Sequence, residues 1–374
     1  MKMKKTAVKI TALLLSLAIL ALTALTVFAG GDAFKEEAYV NIVTVSDCQD
    51  WGSGAYARFA KVLKMMKNDG LPEPDSVLSG GDYSRIMNDY APLGILELRE
   101  AFCDVYPGAD ADKVICIQGN HDLPCAAFFP TGLYDMGTYS LYLVNEDDFP
   151  WEQYDGDDKE AQVKKLAKEM DAALGALIRA GDTRPVIVLT HVPLHHSRRS
   201  SYGDNMYSHY VFNVLNRSAQ TLDIIFMFGH NHSGTCDDYI GGSINYMAPG
   251  DTINIPSPEG RGSEYFTEET LNFTYLNCGY IGYCKNTENE TSTNVLTLGL
   301  IRFFPDRFEF FKYSEKGLLR SYEVERKNPA GTDDVSAKTE AKNMTRENEG
   351  LWNFEKMFVT PLALLVLRLF AFFA

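Results

Sequence analysis

The chain has 374 residues, of which 45% are hydrophobic and 23% are charged, a balance typical of a globular protein with a full core. Its net charge of -15 argues against a protein that holds nucleic-acid polymers through basic patches and counterion release. A small phosphorylated substrate stays compatible with this charge, because bound metal cations reverse the local electrostatic field.

The first 29 residues have the pattern of an export signal. Lysines are frequent in residues 2–9, an apolar run extends over residues 10–28, and Ala29 ends a small-residue cleavage pattern. We interpret residues 1–29 as a signal peptide. An uncleaved N-terminal anchor is the alternative, since the run is long enough to span a membrane. Both interpretations place the remaining chain outside the cytoplasm, in an extracellular, cell-surface or periplasmic location.

Apolar segments alternate with amphipathic helical segments along most of the chain. The predicted strands are residues 39–45, 75–79, 113–117, 185–189 and 223–228, and the predicted helices are residues 55–67, 95–105 and 158–180. Two later strands, residues 296–303 and 308–313, flank a short turn and predict a hairpin. The alternation predicts a layered α/β fold with β-sheets covered by helices, over a domain at residues 30–327.

The composition changes after this domain. Residues 328–350 are polar and charged, which predicts a linker, and residues 351–374 form an apolar tail. Arg368 stands within that tail, where a charge in lipid costs roughly 2.5–3.5 kcal/mol on insertion scales. Three alternatives are a membrane anchor, an interfacial helix and a helix packed on the domain. A polar spacer before an apolar tail also suits a removed GPI signal in a eukaryote.

The seven cysteines have irregular spacings without a C-x-x-C pair, which argues against a zinc ribbon. The closest pair is Cys278 and Cys284. They either form a disulfide or are small buried residues.

Polar clusters directly follow five of the predicted strands. The side chains at these positions are Asp47 and Gln49; Asp82; Asn120, His121 and Asp122; His191; and His230 and His232. Ligands of layered α/β sheets collect at the carboxyl ends of the strands. Carboxylate, amide and imidazole groups that converge there are ligands for hard or borderline divalent metals.

The clusters resemble the motifs of the calcineurin-like metallophosphoesterase family, which shows D-x-H, G-D, G-N-H-[DE], H and G-H-x-H in this order. The matching segments are Gly81-Asp82, Gly119-Asn120-His121-Asp122, His191 and Gly229-His230-Asn231-His232. The resemblance covers roughly residues 39–315 and implies an α/β/β/α sandwich. The first cluster departs from the family pattern, because Gln49 stands where the family usually has histidine.

The resemblance also implies a centre of two divalent ions, of manganese, iron, zinc or magnesium. Asp82 is expected to bridge the ions. Asp47, Gln49 and His232 are expected to complete the first site, and Asn120, His191 and His230 the second. Gln49 either binds the first ion directly or holds a water that does. An amide oxygen is a harder and weaker ligand than imidazole, so we expect this site to favour Mn²⁺ or Mg²⁺.

His121 is expected to stay unligated and to face the substrate, as acid to the leaving group or as a stabiliser of phosphoryl charge. Asp122 is expected to orient the His121 ring. Two metals roughly 3.5–4 Å apart clamp phosphoryl oxygens and activate a bridging hydroxide for in-line attack. We therefore predict an exported phosphoesterase that hydrolyses small phosphate mono- or diesters, with the C-terminal tail as a membrane tether.

The alternative function is an exported binding or sensor module with the same fold and a weakened metal site, for which Gln49 is the one supporting feature. Inserted loops at roughly residues 123–154, 193–213 and 235–272 are expected to set substrate selectivity. The weaker candidates for substrate contact are Tyr83, Arg85, His195, His196, Arg198 and Arg199.

Overall fold

The fold is seen in a computed structural model. It describes residues 34, 36–49, 54–83, 91–150, 157–195, 205–232, 244–256, 266–282, 296–329, 344, 349–359, 362 and 365. The predicted signal peptide and most of the predicted linker lie outside these residues. Among the residues so described, every helix falls short of the length and apolar character that a membrane crossing requires.

The described part of the chain alternates strands and helices up to residue 228 and is then mainly β. The strands are β1 (Val40–Val45), β2 (Ser76–Ser79), β3 (Val114–Cys116), β4 (Gly132–Asp135), β5 (Ser140–Leu143), β6 (Val186–Leu189), β7 (Ile224–Phe228), β8 (Tyr246–Met247), β9 (Thr252–Pro256), β10 (Phe266–Thr270), β11 (Thr274–Asn277), β12 (Gly279–Tyr280), β13 (Thr297–Phe303), β14 (Arg307–Ser314) and β15 (Gly317–Glu325). The α-helices are α1 (Ala55–Asn68), α2 (Ala91–Val105), α3 (Asp157–Ala180), α4 (Ser208–Ser218) and α5 (Glu349–Phe354), which a π-helical turn, Glu355–Val359, extends. Short 3-10 turns span Ala111–Lys113 and Glu146–Asp148.

These strands form two large mixed sheets. The first has the order β15-β14-β13-β1-β2-β3, with β12 also paired to β13. Its strands β1, β2 and β3 are parallel, whereas β13 is antiparallel to β1. The second has the order β4-β5-β6-β7-β11-β8, and β5, β6, β7 and β11 are parallel. Strands β9 and β10 form a separate two-stranded sheet.

The two sheets pack face to face, and helices cover their outer faces. In β1, Val40 and Ile42 point into the layer between the sheets, while Val43 and Val45 pack with α1 and α2. In β6, Ile187 and Leu189 share the inter-sheet layer, and Val186 and Val188 pack with α3 and α4. Successive side chains of a strand point to opposite faces, so strands buried on both faces read as continuous apolar runs. The predicted α/β/β/α sandwich is confirmed.

The structure corrects two parts of the sequence interpretation. Residues 123–154 and 235–272, treated as inserted loops, contain β4 and β5, and β8, β9 and β10, respectively. Strand β15 and helix α4 were not predicted. β15 alternates partly exposed and exposed residues at the sheet edge, and α4 begins within residues 193–213, which were also treated as a loop. Cys278 is a buried free thiol, and Cys284, its proposed disulfide partner, lies outside the described residues.

Candidate metal centre

The carboxyl ends of strands from both sheets converge on one polar centre. Backbone hydrogen bonds connect the segments that follow β1 and β2, from the Asp47 N–H to the Gly81 carbonyl (3.0 Å) and from the Gln49 N–H to the Asp82 carbonyl (2.9 Å). The His230 N–H, after β7 of the second sheet, donates to Asp47 Oδ2 at 2.9 Å. The sandwich therefore brings together residues that are almost two hundred positions apart.

The backbone of this centre is held in an uncommon conformation. In the part of the chain that the structure describes, the non-glycine residues with positive φ are Asp47 (53°), Gln49 (31°), Asp82 (61°), His230 (64°) and His232 (50°). All five are predicted metal ligands. Left-handed φ values at non-glycine residues cost on the order of 1–3 kcal/mol each and concentrate at functional sites. The fold thus maintains local strain to aim these side chains inward.

One group of ligand atoms surrounds Asp47 and Asp82. Ligand atoms of Asp47, Asp82 and His232 all lie within 4.8 Å of one another. His232 Nε2 is 3.0 Å from Asp47 Oδ1, and the His232 ring stacks on Tyr280 with ring centroids 4.5 Å apart. Gln49 Nε2 donates a hydrogen bond of 2.6 Å to Asp82 Oδ2. The residues expected at the first metal therefore lie together.

A second group of ligand atoms also borders Asp82. Asn120 Oδ1 is 2.9 Å from both His191 Nε2 and His230 Nδ1, and these two nitrogens are 3.3 Å apart. His191 Nε2 is also 3.6 Å from Asp82 Oδ2. The residues expected at the second metal therefore lie together, and Asp82 borders both groups.

The His191 ring is fixed so that one nitrogen faces the centre. Its Nδ1 lies 2.6 Å from the Gly80 carbonyl oxygen. A carbonyl only accepts hydrogen bonds, so in the neutral ring Nδ1 carries the hydrogen and Nε2 is the nitrogen that can offer its lone pair to a metal. Burial acts to lower the pKa of His191, but the carboxylates of Asp82 and Asp47 and the Gly80 carbonyl raise it above its usual value.

The donor set fits divalent metal ions. Metal–nitrogen and metal–oxygen bonds of about 2.0–2.2 Å at tetrahedral or octahedral angles separate neighbouring ligand atoms by about 3–3.5 Å. The separations in the second group, 2.9, 2.9 and 3.3 Å, are close to this range. The buried carboxylates of Asp47 and Asp82 supply negative charge that a bound cation neutralises.

Backbone N–H groups bind the carboxylate of Asp122. Its Oδ2 accepts hydrogen bonds from the N–H groups of Asp82 (2.7 Å) and Gly119 (2.8 Å), and its Oδ1 accepts one from Tyr83 (3.0 Å). The Asp122 carboxylate therefore holds the backbone after β2 and β3, and its expected contact with the His121 ring stays a prediction. Burial, followed by the nearby Asp82 carboxylate, raises the pKa of Asp122.

His121 lies beside the centre. Its N–H donates to Asp82 Oδ1 at 2.9 Å, and the residue is partly exposed. Among the predicted site residues, Asn120, His121 and His232 are partly exposed and the others are buried. This exposure is compatible with a side chain that meets a substrate.

Two of the weaker candidates for substrate contact, Tyr83 and His195, have structural roles in the fold. The Tyr83 hydroxyl is buried and donates to the carbonyls of Ser79 and Ile117. His195 is fully buried, and its Nδ1 lies 2.8 Å from the Tyr275 hydroxyl. The remaining candidates, Arg85, His196, Arg198 and Arg199, lie outside the described residues.

Sequence reasoning missed the supporting contacts of Tyr280 and of the Gly80 carbonyl. Neither carried a signal in the sequence, since Tyr280 reads as an ordinary strand aromatic and the Gly80 contribution is backbone. The family pattern, in contrast, covers the ligands themselves.

The sequence model of the calcineurin-like phosphoesterase family matches residues 40–234, more than half of the chain. The chain belongs to this family. The resemblance seen in the sequence is therefore confirmed, and membership supports a metal-dependent phosphoesterase.

Among solved structures, similar folds occur at low sequence identity. GAP50 from Plasmodium, described as the anchor in the inner membrane complex, is 11% identical with a TM-score of 0.46, over 79% of this chain and 92% of that one. A conserved uncharacterized protein from Streptococcus pneumoniae, a predicted phosphoesterase, is 11% identical with a TM-score of 0.31, over 77% and 98%. Zinc-bound Vps29 from Entamoeba histolytica is 7% identical with a TM-score of 0.30, over 76% and 99%. No curated protein sequence matches this chain.

Proposed function

We propose that this protein is an exported phosphoesterase with two divalent metal ions, which hydrolyses small phosphate mono- or diesters. The observation that carries the proposal is the pair of ligand groups that share Asp82. Ligand atoms of Asp47 and His232 lie within 4.8 Å of Asp82, and Asp82 Oδ2 is also 3.6 Å from His191 Nε2, which is grouped with Asn120 and His230. A carboxylate between two such groups is what a closely spaced metal pair requires.

When bound, the two ions supply Lewis-acid stabilisation of phosphoryl oxygens and an activated water. The protein contributes rigid placement of the ligands. The Gly80 carbonyl holds the His191 tautomer, Tyr280 packs flat against the His232 ring, and Asp122 holds the backbone N–H of Asp82. Such outer contacts typically affect metal affinity or activity by 10–100-fold.

His121 is assigned the proton transfer to the leaving group. Its backbone is hydrogen-bonded to the Asp82 carboxylate, so the residue is fixed next to the metal pair. A positioned histidine that donates a proton typically contributes 10²–10⁴-fold to the rate. The alternative role of the same ring is a stabilising contact to the phosphoryl group. In both roles the His121 side chain contacts the substrate.

Gln49 allows two arrangements at the first metal. As observed, its amide N–H stabilises the Asp82 carboxylate and does not ligate. Rotation of the amide by about 180° exchanges Nε2 for Oε1 and makes the side chain an oxygen ligand, since the two atoms occupy nearly equivalent positions. Both arrangements leave the first site with fewer nitrogen ligands than D-x-H, which favours Mn²⁺ or Mg²⁺ there.

Turnover tests the proposal directly. We expect the metal-loaded protein with added Mn²⁺ to hydrolyse p-nitrophenyl phosphate, its bis ester, or both. His121→Ala is expected to lower kcat by 10²–10⁴-fold while the metal content stays unchanged. His209→Ala, at a histidine on α4 away from the centre, is the matched control and keeps full activity.

Absence of turnover on both esters in metal-loaded protein contradicts the proposal and favours the binding-module alternative. Export is tested separately, by N-terminal sequencing of protein recovered outside the cytoplasm. A start at Gly30 is expected, whereas an intact Met1 in a cytoplasmic fraction contradicts export.

A further inference from the structure

The side chain of Trp352 attaches the C-terminal helix α5 to the domain. Trp352 is 0% exposed and lies in the core layer formed by α1, α2 and the first sheet. The guanidinium of Arg99, on α2, stands over the Trp352 ring at 5.2 Å from its centroid. Arg99 is itself fixed by Asp112 at 2.9 Å and by the Val114 carbonyl at 3.2 Å. The helix therefore has a defined position on the domain.

The exposed side of this C-terminal segment is unusually apolar. Of the eight large hydrophobic side chains that are exposed in the described part of the chain, six lie within residues 351–365. They are Leu351 (51% exposed), Phe354 (54%), Met357 (65%), Val359 (38%), Leu362 (62%) and Leu365 (55%). A group of exposed apolar side chains of this kind on a protein surface marks an interaction site.

We propose that residues 349–359, with Leu362 and Leu365, form a bilayer-docking surface, held on the domain by Trp352 so that the metal centre faces away from the membrane. The sequence supports lipid as the occupant. Residues 357–374 are apolar apart from Thr360 and Arg368, so the exposed cluster continues into further apolar sequence. Aromatic and aliphatic side chains of this type bury into the interface between headgroups and acyl chains.

The charge of the protein specifies which lipid surface the segment fits. The net charge of -15 disfavours anionic headgroups, because the cytoplasmic type of electrostatic docking depends on clusters of Lys and Arg. Residues 349–359 contain one basic residue, Lys356, and two acidic residues, Glu349 and Glu355. Binding is therefore driven by apolar burial, and we expect it on zwitterionic phosphatidylcholine vesicles with little dependence on salt.

The attachment point sets the orientation of the domain. Trp352 is bound through Arg99 to Val114, the first residue of β3, whereas Asn120 of the metal centre follows the other end of that strand. The three residues of β3 span about 10 Å, so the two ends of this strand are well separated. Met344 and Glu349 line a cavity with Asp75 and Asp112, so these two residues also lie at the Val114 end of β3. The centre then opens towards water-soluble substrates, a consequence that rests on the proposed function.

Vesicle flotation of the full mature chain tests the lipid surface. Leu351→Ser/Phe354→Ser changes two exposed side chains, and we expect its partition onto phosphatidylcholine vesicles to fall at least tenfold. Leu318→Ser, at a leucine 46% exposed on β15, is the matched control and partitions as the wild type does. No flotation of the wild-type chain, or equal flotation of the double variant, overturns the proposal.

Two further measurements separate the other outcomes. A dimer in sedimentation without lipid that the double variant abolishes identifies a second copy as the occupant and overturns the proposal. Phosphatase turnover of the double variant in solution is expected to equal that of wild type. Loss of membrane binding is thus distinguishable from failure of the proposed function.

Amide hydrogen exchange on vesicles tests the orientation. We expect slower exchange in residues 110–113 and 349–357 on vesicle binding and no change in residues 119–122 and 229–232. Trp352→Ala is expected to keep flotation within twofold and to lose the protection of residues 110–113. Protection of residues 229–232 in the wild-type chain contradicts the orientation.

Discussion

The carboxylate of Asp122 holds the backbone of Asp82, whose N–H lies 2.7 Å from Asp122 Oδ2. The same carboxylate binds the N–H groups of Gly119 and Tyr83, so one side chain joins the segments after β2 and β3. Asp82 has a left-handed φ of 61° and borders both ligand groups. Asp122 therefore acts as a positioning residue for the proposed bridging carboxylate.

Asp122→Asn tests this role. The amide offers one acceptor oxygen in place of two and turns an N–H group towards backbone donors, so Asp82 loses part of its support. We expect Mn²⁺ affinity to fall 10–100-fold and stability to fall by about 1–3 kcal/mol. Isothermal titration calorimetry and urea unfolding measure both. Asp110→Asn, at the N-cap of the 3-10 turn before the amino end of β3, is the control, and an equal loss of Mn²⁺ affinity there refutes the role.

Gln49→His is expected to change the metal preference of the first site. Histidine restores the family D-x-H pattern and adds a nitrogen ligand, which favours Zn²⁺ over Mn²⁺. We expect the ratio of Zn²⁺ to Mn²⁺ affinity to rise about tenfold or more, as read by competition with a chromogenic chelator. An unchanged ratio shows that side chain 49 lies outside the ligand sphere and that its hydrogen bond to Asp82 is the functional contact.

Gly119→Ala is expected to disrupt the centre. A Cβ on Gly119 lies 2.3 Å from Asp82 Oδ1 and 2.6 Å from the Asp82 nitrogen, so the bridging carboxylate has to move. We expect a loss of about 1–3 kcal/mol in stability together with lost metal binding.

Gly175→Ala is the matched control, because its Cβ meets the mobile end of Arg179 at 3.1 Å within helix α3. There the substitution is expected to stabilise the helix by about 0.5–1 kcal/mol and to leave metal binding unchanged. Thermal unfolding with and without Mn²⁺ compares the two variants. Wild-type metal binding in Gly119→Ala contradicts the close packing of Gly119 against Asp82.

His209 predicts an acid-dependent loss of stability. Burial lowers its pKa from 6.5 to about 4, with Glu160 opposing the shift. The unfolded chain therefore takes up the proton first, and stability falls as pH drops from 6.5 towards 4. The residue is partly exposed, so we expect an effect on the order of 1 kcal/mol after solvent screening. His209→Gln flattens this part of the curve of unfolding free energy against pH, and an identical slope in wild type and variant contradicts the assignment.

The strands that deliver the site could be predicted from sequence, because each is buried on both faces and forms a continuous apolar run. β1, β6 and β7 are examples, and their predicted and observed bounds agree within one residue. β4 and β15 could not be predicted in this way, because they are partly exposed edge strands whose pairing depends on the rest of the sheet.

The ligands of the site could be nominated from sequence, because their motifs place polar side chains directly after strands. The role of Asp122 could not, since it depends on the backbone geometry of Asp82. The same holds for Gly80, whose carbonyl fixes the His191 tautomer, and for Tyr280, which stacks on His232 across the sandwich. Contacts of this kind arise only from the assembled fold.

Metal stoichiometry tests the central claim most directly. We expect mass spectrometry and calorimetry to find two Mn²⁺ or related ions per wild-type chain, one ion in Asp47→Asn or in Asn120→Ala, and near-complete loss in Asp82→Ala. Each single-site variant then removes one ligand group, and Asp82 serves both. A wild-type chain that binds no divalent ion, or that keeps two in Asp82→Ala, contradicts a dinuclear centre built on Asp82.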